Sequence, residues 1–351
     1  MGTNPDASGS APRSVPFRTA VVGAGLAGLS CAQLLREAGH EPCLFEKSRG
    51  PSGRAATRRG DGWACDHGAQ YFTADDPGFA AQVLRWCEAG VAAEWTPRLE
   101  VFGEAPDARR RDVPTRRFVG LPGMTAPARW MAAAHQVELC HTIDALRRDH
   151  GAWRLRSREQ GWSRQAFDAV LLAMPAPQAA VLLQGVHEEM ARRAASADMQ
   201  PCWSVMAVYD VDPQPRFDAA FVNQSVLSWV CAEHRKPGRG GTPCWVLHAQ
   251  AAWSREHLEA PPEQVIEALL QAFQGLGARA MPRHAVAHRW RYARGTLADA
   301  PPALWDPSSG LGVCGDWLCG GRIEGAWRSG QALARALELQ PPRRSACLAA
   351  G

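Results

Sequence analysis

The sequence is poor in the features that would place it in a membrane, a disulfide scaffold or a metal cluster. No apolar run in its 351 residues approaches the about 18 residues that a helical span needs. The first 16 residues, MGTNPDASGSAPRSVP, lack the basic start and apolar stretch of a secretory signal and read as a disordered tail. The expected location is therefore cytoplasmic. Its 11 cysteines are odd in number and include no CxxC pair, which argues against a disulfide framework and a zinc site. Reduced core cysteines and no metal are expected. Basic charge is concentrated only in ARRRDVPTRR, around Arg109 to Arg117, and no aromatic residues interleave it. That run reads as a solvated loop, not a nucleic-acid patch.

What is present is ordinary for a globular enzyme: 46% hydrophobic residues and a formal net charge of +4, over a length that accommodates two domains. FRTAVVGAGLAGLSCAQLLREAGHEPCLFEK reads as a strand from Thr19 to Val22, a glycine turn, a helix from about Leu26 to Glu37 and a strand ending at Glu46. This is a βαβ unit. Gly23, Gly25 and Gly28 form GxGxxG at the turn. The first permits the bend, the second lets backbone approach a pyrophosphate, and the third lets helix pack on strand. Glu46 lies 18 residues beyond Gly28, where a carboxylate accepts hydrogen bonds from both ribose hydroxyls. Ala27 and Lys47 join this set as predicted cofactor contacts.

Further along, GFAAQVLRWCEAG and MTAPARWMAAAHQ carry helical periodicity. QVELCHTIDALRRDHGAWRLRS alternates like antiparallel strands turning at DHG. FDAVLLAMPAPQAAVLL reads as a buried strand and a loop into a helix. From about Met199 to Tyr292 short strands surround one amphipathic helix, PEQVIEALLQAFQGL. The last part, GLGVCGDWLCGGRIEGAWRSGQALARALEL, is again strand, glycine-rich loop and helix, and there is no internal repeat.

The residues after Glu46, KSRGPSGRAATRR, resemble the second pyrophosphate-binding segment of flavoproteins of the glutathione-reductase superfamily, especially its amine-oxidase-like branch. Arg54 is the candidate to face the pyrophosphate, because a guanidinium offers phosphate a bidentate fork. CGDWLCGGRIEGAWRSG resembles the closing element of that superfamily. There a strand ends in Gly-Asp, the aspartate binds the ribityl and phosphate region, and the next helix stabilises negative charge on reduced flavin with its N-terminus. Asp316 and the turn Glu324-Gly325-Ala326 match in order and spacing. The resemblance also takes ACDHGAQYFT across the isoalloxazine ring, so Gln70 and Tyr71 contact the flavin and Gly68 lets the backbone come close. For Asp66 and His67 a structural role, such as a buried carboxylate capping backbone amides, stands beside catalysis, and neither is assigned as a base.

FEKSRGPSGRAATRR, DHGAQYFTADDPGFA, AEWTPR, FVGLPGM, AMPAPQA, CWVLHAQAAWS, HRWRYAR and GDWLCGGRIEGAW together look like the bacterial members of the renalase family, from about Phe17 to Leu339. The resemblance implies a flavin oxidase with non-covalent FAD. It would take hydride from wrongly reduced isomers of NAD(P)H, return NAD(P)+ and pass the electrons to oxygen, giving hydrogen peroxide. It puts Ile143 by the adenine, and His248 and Trp290 on the substrate cavity, with a core role as the alternative for both. No acid or base is required, because a dihydropyridine becomes aromatic on losing hydride.

The expected fold is α/β, a Rossmann-type FAD-binding domain with an inserted mixed-sheet plus helix substrate domain. Residues 17–80, 135–185 and 295–340 form the first and 81–134 and 186–294 the second, with tails at 1–16 and 341–351. The expected partners are a small-molecule dinucleotide and oxygen, with no nucleic acid and no membrane, in a monomer or homodimer. The same fold hosts flavin amine oxidases and desaturases, so amine oxidation is the alternative. A non-catalytic FAD-binding redox sensor is a further one, and it would need an appended interaction module that the sequence does not display.

Overall fold

The computed structural model describes residues 16–104 and 115–343. Most of the basic run from Arg109 to Arg117 and nearly all of both tails lie outside the described residues. Six strands form a first sheet in the order Leu304–Asp306, Leu311–Cys314, Ala169–Ala173, Arg18–Val22, Glu41–Glu46 and Gln136–Leu139. All run parallel except the edge strand Leu304–Asp306. A parallel sheet needs cover on both faces, and side-chain alternation divides its residues between two layers. Val21, Leu44 and Leu171 face the helices Leu26–Glu37 and Ile323–Leu339. Ala20, Val22, Phe45 and Leu172 face the hairpin Ile143–Asp149/Ala152–Ser157 and the helices Ala176–Leu183 and Glu188–Ala195. Val21, Leu44 and Leu171 are wholly buried, each worth about 1.5–3 kcal/mol relative to exposure.

The two helices of the first layer come from opposite ends of the chain and are tied together. Ser30 Oγ donates to the Trp327 carbonyl at 2.7 Å, and Gln331 Nε2 donates to the Ser30 carbonyl at 3.0 Å. The result is the expected α/β fold with a Rossmann-type sheet.

A second six-stranded sheet runs in the order His284–Thr296, Asp198–Val208, Cys244–Ala249, Leu227–Ala232, Ala219–Val222 and Leu99–Phe102. It is antiparallel except for its last pair. The helix Pro262–Gln274 begins with proline, whose fixed φ suits a first helical position. It lays Val265, Leu269 and Phe273, spaced four residues apart, over Trp203, Val205 and Leu247 of one sheet face. Among the described residues no helix is long and apolar enough to cross a membrane.

Three features differ from the sequence-based expectation. Gln136–Leu139 is not the first arm of an antiparallel hairpin but the parallel edge strand beside Glu41–Glu46; period-two alternation does not reveal the partner's direction. The hairpin begins only at Ile143 and turns at His150-Gly151, both with positive φ. The 13-residue strand His284–Thr296 is the longest described and was not resolved from its short neighbours, because its charged residues mask its alternation. Finally, the cysteines are not all reduced. Cys65 and Cys244, 179 residues apart, form a disulfide between the strands Trp63–Asp66 and Cys244–Ala249. Such a pair leaves no local spacing to read, since tertiary packing alone brings it together.

Candidate functional site

The glycine turn lies where the strand Arg18–Val22 ends and the helix Leu26–Glu37 begins. Gly23 has φ +109°, and a Cβ there would collide with the Ala173 carbonyl of the neighbouring strand. Only glycine fits. Glu46 ends the next strand with its carboxylate buried against this turn: Oε2 accepts from the Ala24 amide at 2.9 Å and Oε1 from the Ser48 amide at 2.8 Å. His141 donates its amide to the Glu46 carbonyl at 2.9 Å, which brings Ile143, itself buried, onto the same cavity wall.

Sequence-predicted residues from opposite ends of the chain meet at the next station. The Arg54 guanidinium donates to both carboxylate oxygens of Asp316, at 3.1 and 2.5 Å, and to the carbonyls of Tyr292 and Ala293. Beyond Asp316, Glu324 accepts the Asp75 amide at 2.7 Å, and Ala326 lines the cavity in the first turn of Ile323–Leu339. Ala27 lines it too, and Lys47 does so from an exposed position. Gly28 and Gly325 do not line it. A Cβ on either would strike the carbonyl of Gly23 or Cys319, so both allow close packing behind the cavity.

Asp66 is buried in a network of charges that sequence reasoning did not find. Its Oδ1 accepts from Thr57 Oγ1 at 2.6 Å and from the Met124 amide at 3.0 Å. Its Oδ2 lies 3.6 Å from Lys236 Nζ and pairs with Arg239. Glu233 accepts from the Asp66 amide and pairs with Lys236 at 2.5 Å. Burial works to raise the Asp66 pKa, but Lys236, Arg239 and the two hydrogen bonds outweigh it and hold the carboxyl below the usual carboxylate range. Lys236 Nζ also reaches Gln70 Oε1 at 3.4 Å, while Gln70 Nε2 donates to the Asp66 carbonyl. The network therefore braces the segment from Asp66 to Tyr71 from behind. Glu233, Lys236 and Arg239 sit in one short loop, and charges at such spacing look like a solvated turn until the fold buries them.

In front of that segment is an aromatic wall. A Cβ on Gly68 would sit on the Arg54 carbonyl and 3.4 Å from the Trp290 ring, so the backbone passes directly beneath the indole. Trp290 Nε1 donates to the His67 carbonyl at 2.8 Å, and the two rings stack with centroids 5.2 Å apart. His288 meets His67 at 4.7 Å and Trp290 at 4.4 Å. Sheet register places Trp229, His248, Ser204 and His288 side by side on four consecutive strands. Tyr71 lies 5.4 Å from Trp229, with Arg117 over its ring. Nε2 of His248 is buried with no partner among the described residues.

The wall is electrically neutral. Burial, then His288 and Arg58, pushes the His67 pKa down to about 3. Burial brings His248 down to about 4, against an opposing hydrogen bond to the His67 backbone. Burial and Arg58 also lower His288. His288 and Arg58 were missed in the sequence, although HRWRYAR and GRAATRR contain them.

The glycine turn, Glu46, Ile143, the Arg54–Asp316 pair, His67 to Tyr71 and the aromatic wall share one cavity of about 2730 Å³ that runs from the glycine turn to Trp229. It is large enough for more than one small molecule. Gly23, where no side chain fits, the buried carboxylate of Glu46 and the helix N-terminus at Ile323 suit FAD, whose diphosphate favours backbone amides and a positive dipole end.

Comparison with known proteins gives a matching result. Residues 21–85 match an NAD(P)-binding Rossmann-like domain, and residues 78–337 match the flavin containing amine oxidoreductase family. Renalase of Mus musculus is 24% identical over 320 residues, 85% of this chain and 92% of its own. Cyclohexylamine oxidase from Brevibacterium oxydans IH-35A superposes with a TM-score of 0.70 at 15% identity, covering 93% of this chain and 100% of its own. Putrescine oxidase bound to putrescine superposes at 0.68 with 13% identity, covering 93% and 99%. The last two establish the fold alone. With its family model spanning Gly78 to Leu337 and its glycine turn, buried Glu46 carboxylate and helix N-terminus on one cavity, the chain belongs to the flavin containing amine oxidoreductase family, as a renalase-like FAD-dependent oxidoreductase.

Proposed function

We propose that the protein is an oxidase of isomeric dihydronicotinamide dinucleotides, which returns NAD(P)+ and hands the electrons to oxygen to give hydrogen peroxide. The observation that carries this reading is the charge of the cavity. Twelve lysines and arginines line it against five aspartates and glutamates, an excess that persists when Glu259 and Asp75, paired with three of those arginines from outside the lining, are counted, and its ring-facing wall consists of neutral imidazoles and indoles. An excess of positive charge draws anionic ligands and repels ammonium ions. A dinucleotide brings a diphosphate, whereas an amine arrives as a cation at neutral pH.

In this reading the first sheet and its helices hold the cofactor and the second sheet supplies the substrate wall. Glu46 receives the ribose of non-covalent FAD, the turn at Gly23 and the Arg54–Asp316 pair receive its diphosphate and ribityl chain, and Ile143 lies by the adenine. Bound FAD supplies the hydride acceptor and the route to oxygen. The chain's own part is to orient and to dry the site. His67, His248 and Trp290 present a flat apolar surface on which a dihydropyridine stacks, and the passage of backbone at Gly68 lets it come close. His67 and His248, pushed to about 3 and about 4, are not bases matched to neutral pH, and hydride loss from a dihydropyridine needs none.

Amine oxidation is the second reading, favoured by the aromatic pair Tyr71 and Trp229 at 5.4 Å. Anaerobic mixing with dihydronicotinamide isomers and with simple amines, following bleaching of the flavin absorbance, separates the two. Bleaching by amines alone would overturn the proposal.

A further inference from the structure

We propose that Arg58 is the substrate's phosphate anchor, the residue that makes the site select dinucleotides over uncharged dihydropyridines. The inference rests on the dinucleotide reading above and adds a specificity residue to it.

Arg58 lies on the hairpin Thr57–Gly60/Trp63–Asp66, whose alternation fixes where it points. Thr57 turns inward, its Oγ1 donating to Asp66 and accepting from the Thr125 amide at 3.4 Å. The next residue points to the opposite face, the face of its register partner Cys65, and Arg58 lines the cavity from an exposed position, as its neighbours Thr57 and Arg59 also do. Its position is firmly held. Arg58 pairs in register with Cys65, and Cys65 is bonded to Cys244 on the strand that carries His248.

Its location relative to the wall follows from electrostatics. Arg58 opposes protonation of both His67 and His288, the two imidazoles packed on Trp290. The guanidinium therefore sits beside the ring platform and not at the Arg54–Asp316 station.

Its charge is also available. Arg54 is paired with Asp316, Arg158 shares Asp144 with Arg156, Arg289 and Arg291 share Glu259, and Arg322 faces Asp75. Arg58 has no hydrogen-bond or ion-pair partner among the described residues. Of the other lining cations without an ion pair among the described residues, Arg294 lies beside Gly321 and Arg129 beside Gly50, Lys47 and Arg49 follow Glu46, Arg59 is the next residue on the same hairpin, and Arg117 lies over the Tyr71 ring. A wall of neutral imidazoles with the Arg58 guanidinium beside His67 and His288 is complementary to a neutral ring attached to a diphosphate. The planar fork suits phosphate oxygens in two-point contact.

The test uses the FAD-loaded enzyme, Arg58→Ala, Arg58→Lys and Arg58→Glu, and two donors with the same reduced ring: the dinucleotide and an uncharged N-alkyl dihydronicotinamide. Arg58→Ala is expected to raise the dinucleotide concentration for half-maximal flavin reduction roughly tenfold, with the limiting rate held within twofold. The N-alkyl donor should be unaffected. Arg58→Lys should recover part of the loss, Arg58→Glu should exceed it, and the salt dependence of dinucleotide reduction should flatten in Arg58→Ala. Calorimetric binding of NAD+ to the oxidised enzyme should weaken in parallel, a readout independent of turnover.

Equal effects on both donors would make Arg58 a structural residue and overturn the proposal. Unchanged dinucleotide reduction and NAD+ binding in Arg58→Ala and Arg58→Glu would overturn it as well. If the wild-type enzyme is reduced by the N-alkyl donor but not by the dinucleotide, the anchor is wrong and the dihydropyridine chemistry stands. If neither donor reduces it, both readings fall.

Discussion

At the glycine-turn end, the cavity is lined by backbone and formal charge: the turn at Gly23 and Gly25, the carboxylate of Glu46, the Arg54–Asp316 pair and a helix N-terminus. At the opposite wall the rings themselves are uncharged, and the guanidiniums of Arg58 and Arg117 stand at their margin. Three imidazoles are held neutral by burial, one indole donates its proton to a backbone carbonyl, and a glycine keeps the backbone out of the way. The first end is suited to gripping a polar ligand through catalytic cycles. The second is suited to a ring that must stack, react and leave. Between them runs the segment Asp66–Tyr71, braced from behind by the buried charges of Glu233, Lys236 and Arg239. A neutral wall in front of a charged core teaches that the cost of burying those charges is borne where no ligand reaches them.

The strongest way to break this arrangement is to remove one brace. Lys236 and Asp66 are wholly buried, and losing one partner of a buried ion network typically costs about 3–5 kcal/mol because the other charges stay buried without compensation. Lys236→Met is expected to lower stability by about that amount in urea unfolding of the FAD-loaded protein, and to release flavin at lower denaturant. A change below about 1 kcal/mol would mean that the loop relaxes to let water reach Asp66.

Next in size is cofactor retention. Glu46→Ala removes the acceptor next to the glycine turn, and Arg54→Ala leaves the largely buried Asp316 without its partner. Each variant is expected to purify with less flavin and to bind added FAD at least tenfold more weakly, measured by the ratio of flavin to protein absorbance. Full occupancy in both would remove the cofactor from this end of the cavity.

Kinetic effects without loss of cofactor test the other side of the comparison. His248→Ala and Trp290→Ala are expected to slow flavin reduction ten- to a hundredfold while the oxidised flavin spectrum and the unfolding midpoint change little. Loss of folding in both would make the wall part of the core.

The difference between the two regions also explains what was legible in the sequence. The cofactor end is made of local signals: three glycines in six residues, a carboxylate 18 residues on, and a Gly-Asp at the end of a strand. Each depends on a few neighbouring residues, so the chain displays it directly. The wall depends on register. His248 and His288 come side by side behind His67 only because the strands Asp198–Val208, Cys244–Ala249 and His284–Thr296 pair without a slip at Ser204. A one-residue shift would turn both of them to the other face. Likewise Glu233, Lys236 and Arg239 acquire meaning only once Asp66 is packed against their loop, and the Cys65–Cys244 bond only once a hairpin meets a strand. His248 and Trp290 were visible through family resemblance, whereas Arg58 and His288 were visible only through packing.

The smallest expected effect is the most discriminating, because it is the absence of one. Burial holds His67 at about 3 and His248 at about 4, the Asp66 carboxyl lies below the usual range, and Lys236 is held above its own. None of these changes charge between about pH 6 and 9, the interval in which an ordinary histidine or amine would titrate. Single-turnover reduction by a dihydronicotinamide is therefore expected to vary less than twofold across it. An amine substrate must first lose a proton, so its rate would climb up to tenfold per pH unit until the amine is neutral. Stability should behave differently from rate. In the unfolded chain the imidazoles take up protons near pH 6.5, whereas native His67 and His248 refuse them until about 3 and about 4. The stabilisation is thus complete above about pH 6.5 and is lost progressively below it. Unfolding midpoints at pH 7 and pH 5 should differ clearly in the wild type and much less in a His67→Gln/His248→Gln variant. A flat stability profile in the wild type would show that the imidazoles are solvated, and a steep reduction profile between pH 6 and 9 would put a titrating base on the wall and favour amine oxidation.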